Sequence, residues 1–268
     1  MSITTISGLI AVLLYMASLY YQSTRITVKS SDQSNPIDRK IFYFGLLAAA
    51  AHAISAYGVI RTTEGYHFGI VHISTLIFAS VSALVLLRGL RRPLGNLILV
   101  LFPAAILSIL LSLTVSPDYQ PQQAGPGIVS HILLSILAYS FFTIAALQAA
   151  FLAFQNYQLR HKHAASAIRR FPPLQDMESF LFELLWAGQI LLTLGIVAGF
   201  LFVEDLWAQG LPHKTFFSLL AWLVFAILLW GRHRLGWRGN TAIRGTLVGF
   251  LFLILGFYGS KIVLEYIL

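Results

Sequence analysis

The chain contains no cysteine in its 268 residues. That excludes disulfides, thiolate metal sites and covalent haem attachment through a C-x-x-C-H box. Charge is also scarce: Asp, Glu, Lys and Arg make up 10% of the residues, with 10 acids against 18 bases. A basic n-region is missing as well. The chain opens MSITTIS, and the apolar run behind it leads to Arg25 and Lys29 instead of a small-residue cleavage site. This first run therefore reads as a retained span with its N-terminus outside, not as a signal peptide.

What remains is apolar, with 57% of residues hydrophobic. A hydrocarbon slab of about 30 Å takes roughly 20 helical residues to cross. Eight runs meet that length, predicted at residues 2–22, 41–60, 70–87, 96–115, 128–154, 181–203, 216–231 and 245–264. They leave only short connectors, so one integral membrane domain over 1–268 is expected. The fold class that follows is all-α: a polytopic helical bundle with eight transmembrane helices.

The bases fall in every second gap between these runs. The first gap holds Arg25, Lys29, Arg39 and Lys40, and the third holds Arg88, Arg91 and Arg92. The fifth holds Arg160, Lys162, Arg169 and Arg170, and the seventh holds Arg232, Arg234, Arg238 and Arg244. Only Arg61, Lys214 and Lys261 remain for the opposite side. Short loops rich in Lys and Arg stay cytoplasmic, which predicts both termini outside. A net charge of +8 spread over four such loops suits anionic lipid head groups better than nucleic acid.

Breakers punctuate the runs. Pro103 should kink the fourth span, and Pro117, Pro121 and Pro126 with Gly125 and Gly127 should make the next outer loop a non-helical turn. Pro172 and Pro173 break a long inner loop, 155–180, in which a short surface helix is expected. Glycines line one face of two spans: Gly188, Gly195 and Gly199 in the sixth, and Gly245, Gly249, Gly256 and Gly259 in the eighth. Such faces let backbones approach closely, within the bundle or at a dimer seam.

Chemistry is concentrated in histidine. His161, His163 and His233 fall at inner loops as solvated side chains, while the other five lie towards the outside. His52 is about 12 Å below the outer end of the second span, at a depth where an ionisable group needs a partner or a function. His72 and His131 open the third and fifth spans, and His67 and His213 belong to outer loops. No two histidines sit at i and i+4, and no carboxylate lies at matching spacing, so a zinc site is not indicated. Non-covalent, b-type haem fits better, whether held stably or in passing. Its iron accepts neutral imidazoles, its macrocycle wants aromatic and aliphatic walls, and its propionates want cations at the water boundary. The outer half offers His131, His72, His213 and His52 as imidazoles and Arg61 and Lys214 as cations, with Trp207, Phe216, Phe217 and Trp222 as walls.

The stretches SHILLSILAYS from Ser130, TLGIVAG from Thr193 and AWLVFAILLW from Ala221, followed by GWRG from Gly236 and GFYG from Gly256, carry a family likeness. In that order they resemble the CcsA/CcmC/CcmF cytochrome c assembly family, and most closely its short YpjD-like inner-membrane members. The resemblance runs from about the second span to the end. It implies haem handling at the outer face of the bacterial inner membrane, with an apocytochrome or another haem-pathway protein as partner. It places His131 at the family's first outer haem-ligating histidine, and His52 at a histidine of an early span. Where the family has a tryptophan-rich outer loop, this chain retains Trp207 alone, followed by Pro212, His213 and Lys214. No histidine follows Gly259, where the resemblance implies a second ligand; either His213 or His72 replaces it, or this branch does something else.

The expected mechanism is ligand capture, not turnover. His131 is one axial ligand and His72 or His213 the other, with Arg61 and Lys214 at the propionates and Trp207 against the ring. Two alternatives are open: a haem-sensing regulator that binds a cytoplasmic tetrapyrrole enzyme through the 155–180 loop, and a transporter of a small ion or small molecule.

Overall fold

The computed structural model describes residues 2–28, 37–115, 121–160, 172–202 and 212–262. Within them lie eight helices long and apolar enough to cross a membrane. They are α1 (Ile3–Val28), α2 (Arg39–Ile60), α3 (Ile70–Gly89), α4 (Gly95–Thr114), α5 (Pro126–Arg160), α6 (Leu174–Phe202), α7 (Pro212–Leu235) and α8 (Asn240–Ile254). The last of these runs on through a π-helical turn at Leu255–Gly259. A polytopic helical membrane protein is what eight such helices make, because only helices or closed barrels satisfy every backbone group in lipid.

The helices outrun the apolar runs at their polar ends. α5 continues to Arg160, α6 begins at Leu174, α7 reaches Leu235 and α8 starts at Asn240. Apolarity marks the part that crosses hydrocarbon, whereas a helix goes on satisfying its own backbone among polar neighbours. Of the 155–180 loop, residues 155–160 complete α5 and 174–180 open α6. Residues 161–171, where a surface helix was expected, lie outside the described residues. Pro126 and Gly127 also depart from expectation, since they form the start of α5 instead of a turn. Proline suits a first helical position, where its missing N–H has no partner to lose. Pro103 lies inside α4.

The chain divides into two compact units, Met1–Gln122 with Gln155–Pro173, and Gln123–Phe154 with Leu174–Leu268. In the first, α1 packs on α2 and α4, and α3 packs on the same two helices. Tyr15, Ile41, Leu86, Ile98, Phe102 and Ile109 are fully buried at its centre. Hydrogen bonds tie α1 to α2 near both ends: Ser55 Oγ donates to Thr4 O at 3.0 Å, and Ser18 Oγ to Ile41 O at 3.1 Å. The α2–α3 link is a short antiparallel hairpin, β1 (Arg61–Thr62) and β2 (Gly65–Tyr66). Gln122 adds to its edge through paired 2.9 Å backbone hydrogen bonds with Tyr66.

In the second unit Phe142 of α5 stacks on Phe225 of α7, with ring centroids 4.0 Å apart. Gly188 of α6 and Gly249 of α8 make room for this pair: a Cβ built at Gly188 meets the Phe142 ring at 2.9 Å, and one at Gly249 meets Phe225 at 2.5 Å. The glycine faces thus pack the interior of their own unit, as small residues do where lipid provides no hydrophobic drive for association.

Candidate functional site

His131 lies in the second turn of α5, and its ring is fixed by α6. Its Nδ1 is 2.7 Å from the carbonyl oxygen of Gly195. A carbonyl only accepts, so Nδ1 carries the proton and Nε2 keeps a lone pair. Gly199, one turn beyond Gly195, gives the ring its place: a Cβ there would be 3.0 Å from His131 Cε1 and 3.1 Å from Nδ1. A histidine with Nδ1–H anchored to the backbone and Nε2 bare is the arrangement by which proteins orient a metal-ligating imidazole.

Lys214, half-buried on the first turn of α7, is close enough to act electrostatically on His131. Its Nζ lies 5.9 Å from the ring centroid of Phe257, which sits in the π-helical turn of α8. Phe257 and Tyr258 in turn meet Tyr139 of α5 at 5.7 and 6.1 Å, and Phe250 meets the same ring at 6.0 Å. The Tyr139 hydroxyl is sealed within the cluster and has no hydrogen-bond partner among the described residues. A π turn widens the helix locally and is frequent at functional sites. This aromatic wall was not singled out from the sequence, although it includes the GFYG motif.

The other expected residues are placed as follows. His213 neighbours Lys214 and is exposed, and Phe216 is exposed as well. Trp222 is tied to α6, its Nε1–H donating to Thr193 Oγ1 at 2.9 Å. Trp207 lies outside the described residues, as do His161 and His163. Arg61 and His72 belong to the first unit. The Arg61 guanidinium is exposed, donates to the Tyr57 hydroxyl and lies 5.8 Å from the centre of that ring. That hydrogen bond holds the guanidinium above its ordinary pKa. His72 is buried with its ring 5.4 Å from that of His67.

His52 is completely buried, and both its ring nitrogens are engaged. Tyr15 Oη is 3.3 Å from Nδ1, and Thr75 Oγ1 is 2.8 Å from Nε2. The chain Tyr15–His52–Thr75 thus links α1, α2 and α3 through neutral hydrogen bonds. Among the described residues no three or more His, Cys, Asp or Glu side chains group to hold a metal ion.

The family model described as Cytochrome C assembly protein matches residues 40–268. The chain belongs to the cytochrome c assembly protein family. It is 29% identical over 225 residues to the inner membrane protein YpjD of Escherichia coli (strain K12), covering 83% of this chain and 85% of that protein. It is 24% identical over 225 residues to protein HemX of Brevibacillus brevis, covering 81% and 83%. It is 25% identical over 163 residues to the cytochrome c biogenesis protein CcsA of Chlamydomonas reinhardtii, covering 57% and 45%. No solved structure matches.

For this cytochrome c assembly family member the GWRG motif has a structural use. Gly236 and Gly239 take φ of 68° and 55°, in the left-handed region that glycine enters at little cost. The reversal lays Trp237 on Gly231, where a Cβ would meet the indole at 2.3 Å. Arg232 of α7 donates to Glu178 of α6 at 2.8 Å and to the Trp237 carbonyl at 3.3 Å, over the ring of Phe182. The motif therefore clasps α6, α7 and the start of α8 together.

Proposed function

We propose that the protein binds haem without a covalent bond at the His131 end of its second unit, and serves cytochrome c assembly there. The observation that carries this is the His131–Gly195 hydrogen bond, which leaves Nε2 as a neutral, oriented donor to iron. His131 would hold the iron, with His213, in the same unit beside Lys214, as the second ligand. Lys214 would pair with a propionate and Tyr139, Phe257 and Tyr258 would wall the macrocycle, with Trp207 a further wall expected from the sequence. Bound haem supplies the redox-active iron that a cytochrome needs. This chain's own contribution is to hold it, orient it and keep water away.

The role is capture and presentation, not catalytic turnover, with an apocytochrome or haem-pathway protein as the receiving partner. A bacterial inner membrane is the proposed location, supported by the name of the YpjD relative and by the placement of the bases. The same placement supports an orientation with both termini outside. An absorption spectrum of the detergent-purified protein tests the reading. A Soret band as purified, or after one equivalent of haem, is the expected result. No band after haem addition overturns it.

A further inference from the structure

The first unit sets a buried amide against the start of a helix. Gln22 of α1 is 4% exposed, and its Oε1 has no hydrogen-bond partner among the described residues. A leucine would fill the same space without stranding an oxygen. Gly95, the first residue of α4, leaves the room: a Cβ there would be 2.2 Å from Gln22 Nε2 and 3.6 Å from Oε1, so the N–H edge of the amide faces the helix start. Leu94, the cap residue of α4, supplies no side-chain hydrogen bond. The opening N–H of Gly95 and the positive end of the helix dipole are thus left for a ligand or solvent, with a second donor beside them.

Charge and depth point to one kind of ligand. Six bases of the first and third gaps lie among the described residues at this end of the unit, and Asp38, the one described acid beside them, is engaged by the Lys40 N–H at 2.8 Å. Ile37 N–H donates to Gly89 O at 3.0 Å, which holds the start of α2 to the end of α3. Arg91 is exposed and stands four residues before Gly95, in a turn whose Arg91 and Arg92 N–H groups close onto Arg88 O. Tyr20 and Tyr43, 66% and 60% exposed, and Lys40, 5.9 Å from the centre of the Tyr21 ring, mark this level as a membrane interface. An anion at that depth meets a helix N-terminus, a guanidinium and an amide N–H together. We infer that Gln22, Arg91 and the start of α4 bind the phosphodiester of one anionic phospholipid, a defined site within the diffuse attraction of the basic loops. This site is independent of His131 and of haem.

Native mass spectrometry of the delipidated full chain in detergent reads the site, with dioleoylphosphatidylglycerol as the probe. One copy should be retained under activation that strips any others. Dioleoylphosphatidylethanolamine, whose ammonium group the surrounding bases repel, should bind about tenfold more weakly. Gln22→Leu and Arg91→Gln should each weaken retention about tenfold, whereas Arg238→Gln, in the basic loop of the second unit, should not. Gln22→Leu should also melt no lower than wild type in lipid-free detergent, because it removes a sealed oxygen that lacks a partner. Arg91 is exposed, so Arg91→Gln decides the matter if Gln22→Leu fails to fold. The proposal is overturned if no phosphatidylglycerol is retained, if folded Gln22→Leu or Arg91→Gln retains it as wild type does, or if Arg238→Gln loses as much. Displacement of the lipid by inorganic phosphate would make the ligand a free anion and overturn the lipid assignment.

Discussion

The imidazole of His131 and the carbonyl of Gly195 lie 64 residues apart in the chain and 2.7 Å apart in space. The hydrogen bond does what sequence position alone could not: it fixes which ring nitrogen is protonated. For haem in the second unit, His131→Ala should turn a low-spin ferric spectrum high-spin, or empty the site. His131→Gly with added imidazole should recover part of the low-spin signal. His213→Ala should reproduce the change and His72→Ala should not. An unaltered spectrum in His131→Ala would remove the axial role.

Gly199 gives an independent handle on the same ring. In Gly199→Ala the new methyl would press on Cε1 and Nδ1 of His131 at 3.0 and 3.1 Å, tighter than ordinary contact. The imidazole must tilt and stretch its bond to Gly195. Haem affinity should fall about tenfold, or about 1.4 kcal/mol, as read by titration, with little change in helix content.

His52 should behave in the opposite way. Its two ring nitrogens serve Tyr15 and Thr75, so His52→Ala strands two buried hydroxyls at a cost of about 1–3 kcal/mol each. Tyr15→Phe removes one donor and should cost about 1 kcal/mol. Thermal unfolding should show both losses in that order, while haem bound per folded molecule stays at the wild-type level. A haem loss in folded His52→Ala would make it a ligand after all.

Orientation is open to labelling, since no native cysteine interferes. Single cysteines at Gln122 or Gln209 should react with an impermeant reagent added to whole cells. Those at Ser31, Ala165 or Asn240 should react only after lysis. The reverse pattern would invert the topology and place the His131 end of the second unit on the cytoplasmic side.

The eight helices were legible because each apolar run is long enough to need no tertiary context. Their ends were not, because residues such as Gln155 and Arg160 continue a helix without looking like a span. His131 was legible from its place at a span start and its family likeness. Its partner was not, since nothing in a backbone carbonyl distinguishes Gly195 from its neighbours. The depth of His52 flagged it correctly as a group in need of partners, but Tyr15 and Thr75 lie in other helices. The aromatic wall could have been found from the crowding of Phe257 and Tyr258 between two glycines, with Lys261 close behind.

The Arg232–Glu178 clasp has a mechanical consequence. It pins α7 to α6 at one end, and the Trp222–Thr193 hydrogen bond ties the two helices again near mid-length, so the part of α7 left to move is the stretch before Trp222. Lys214 stands in that stretch, about 12 Å along the helix axis from Trp222 at 1.5 Å per residue. At that radius a tilt of about 10° sweeps its ammonium group through roughly 2 Å, the difference between a direct ion pair and one bridged by water. A small bend before Trp222 would therefore make or break the proposed contact between Lys214 and a haem propionate.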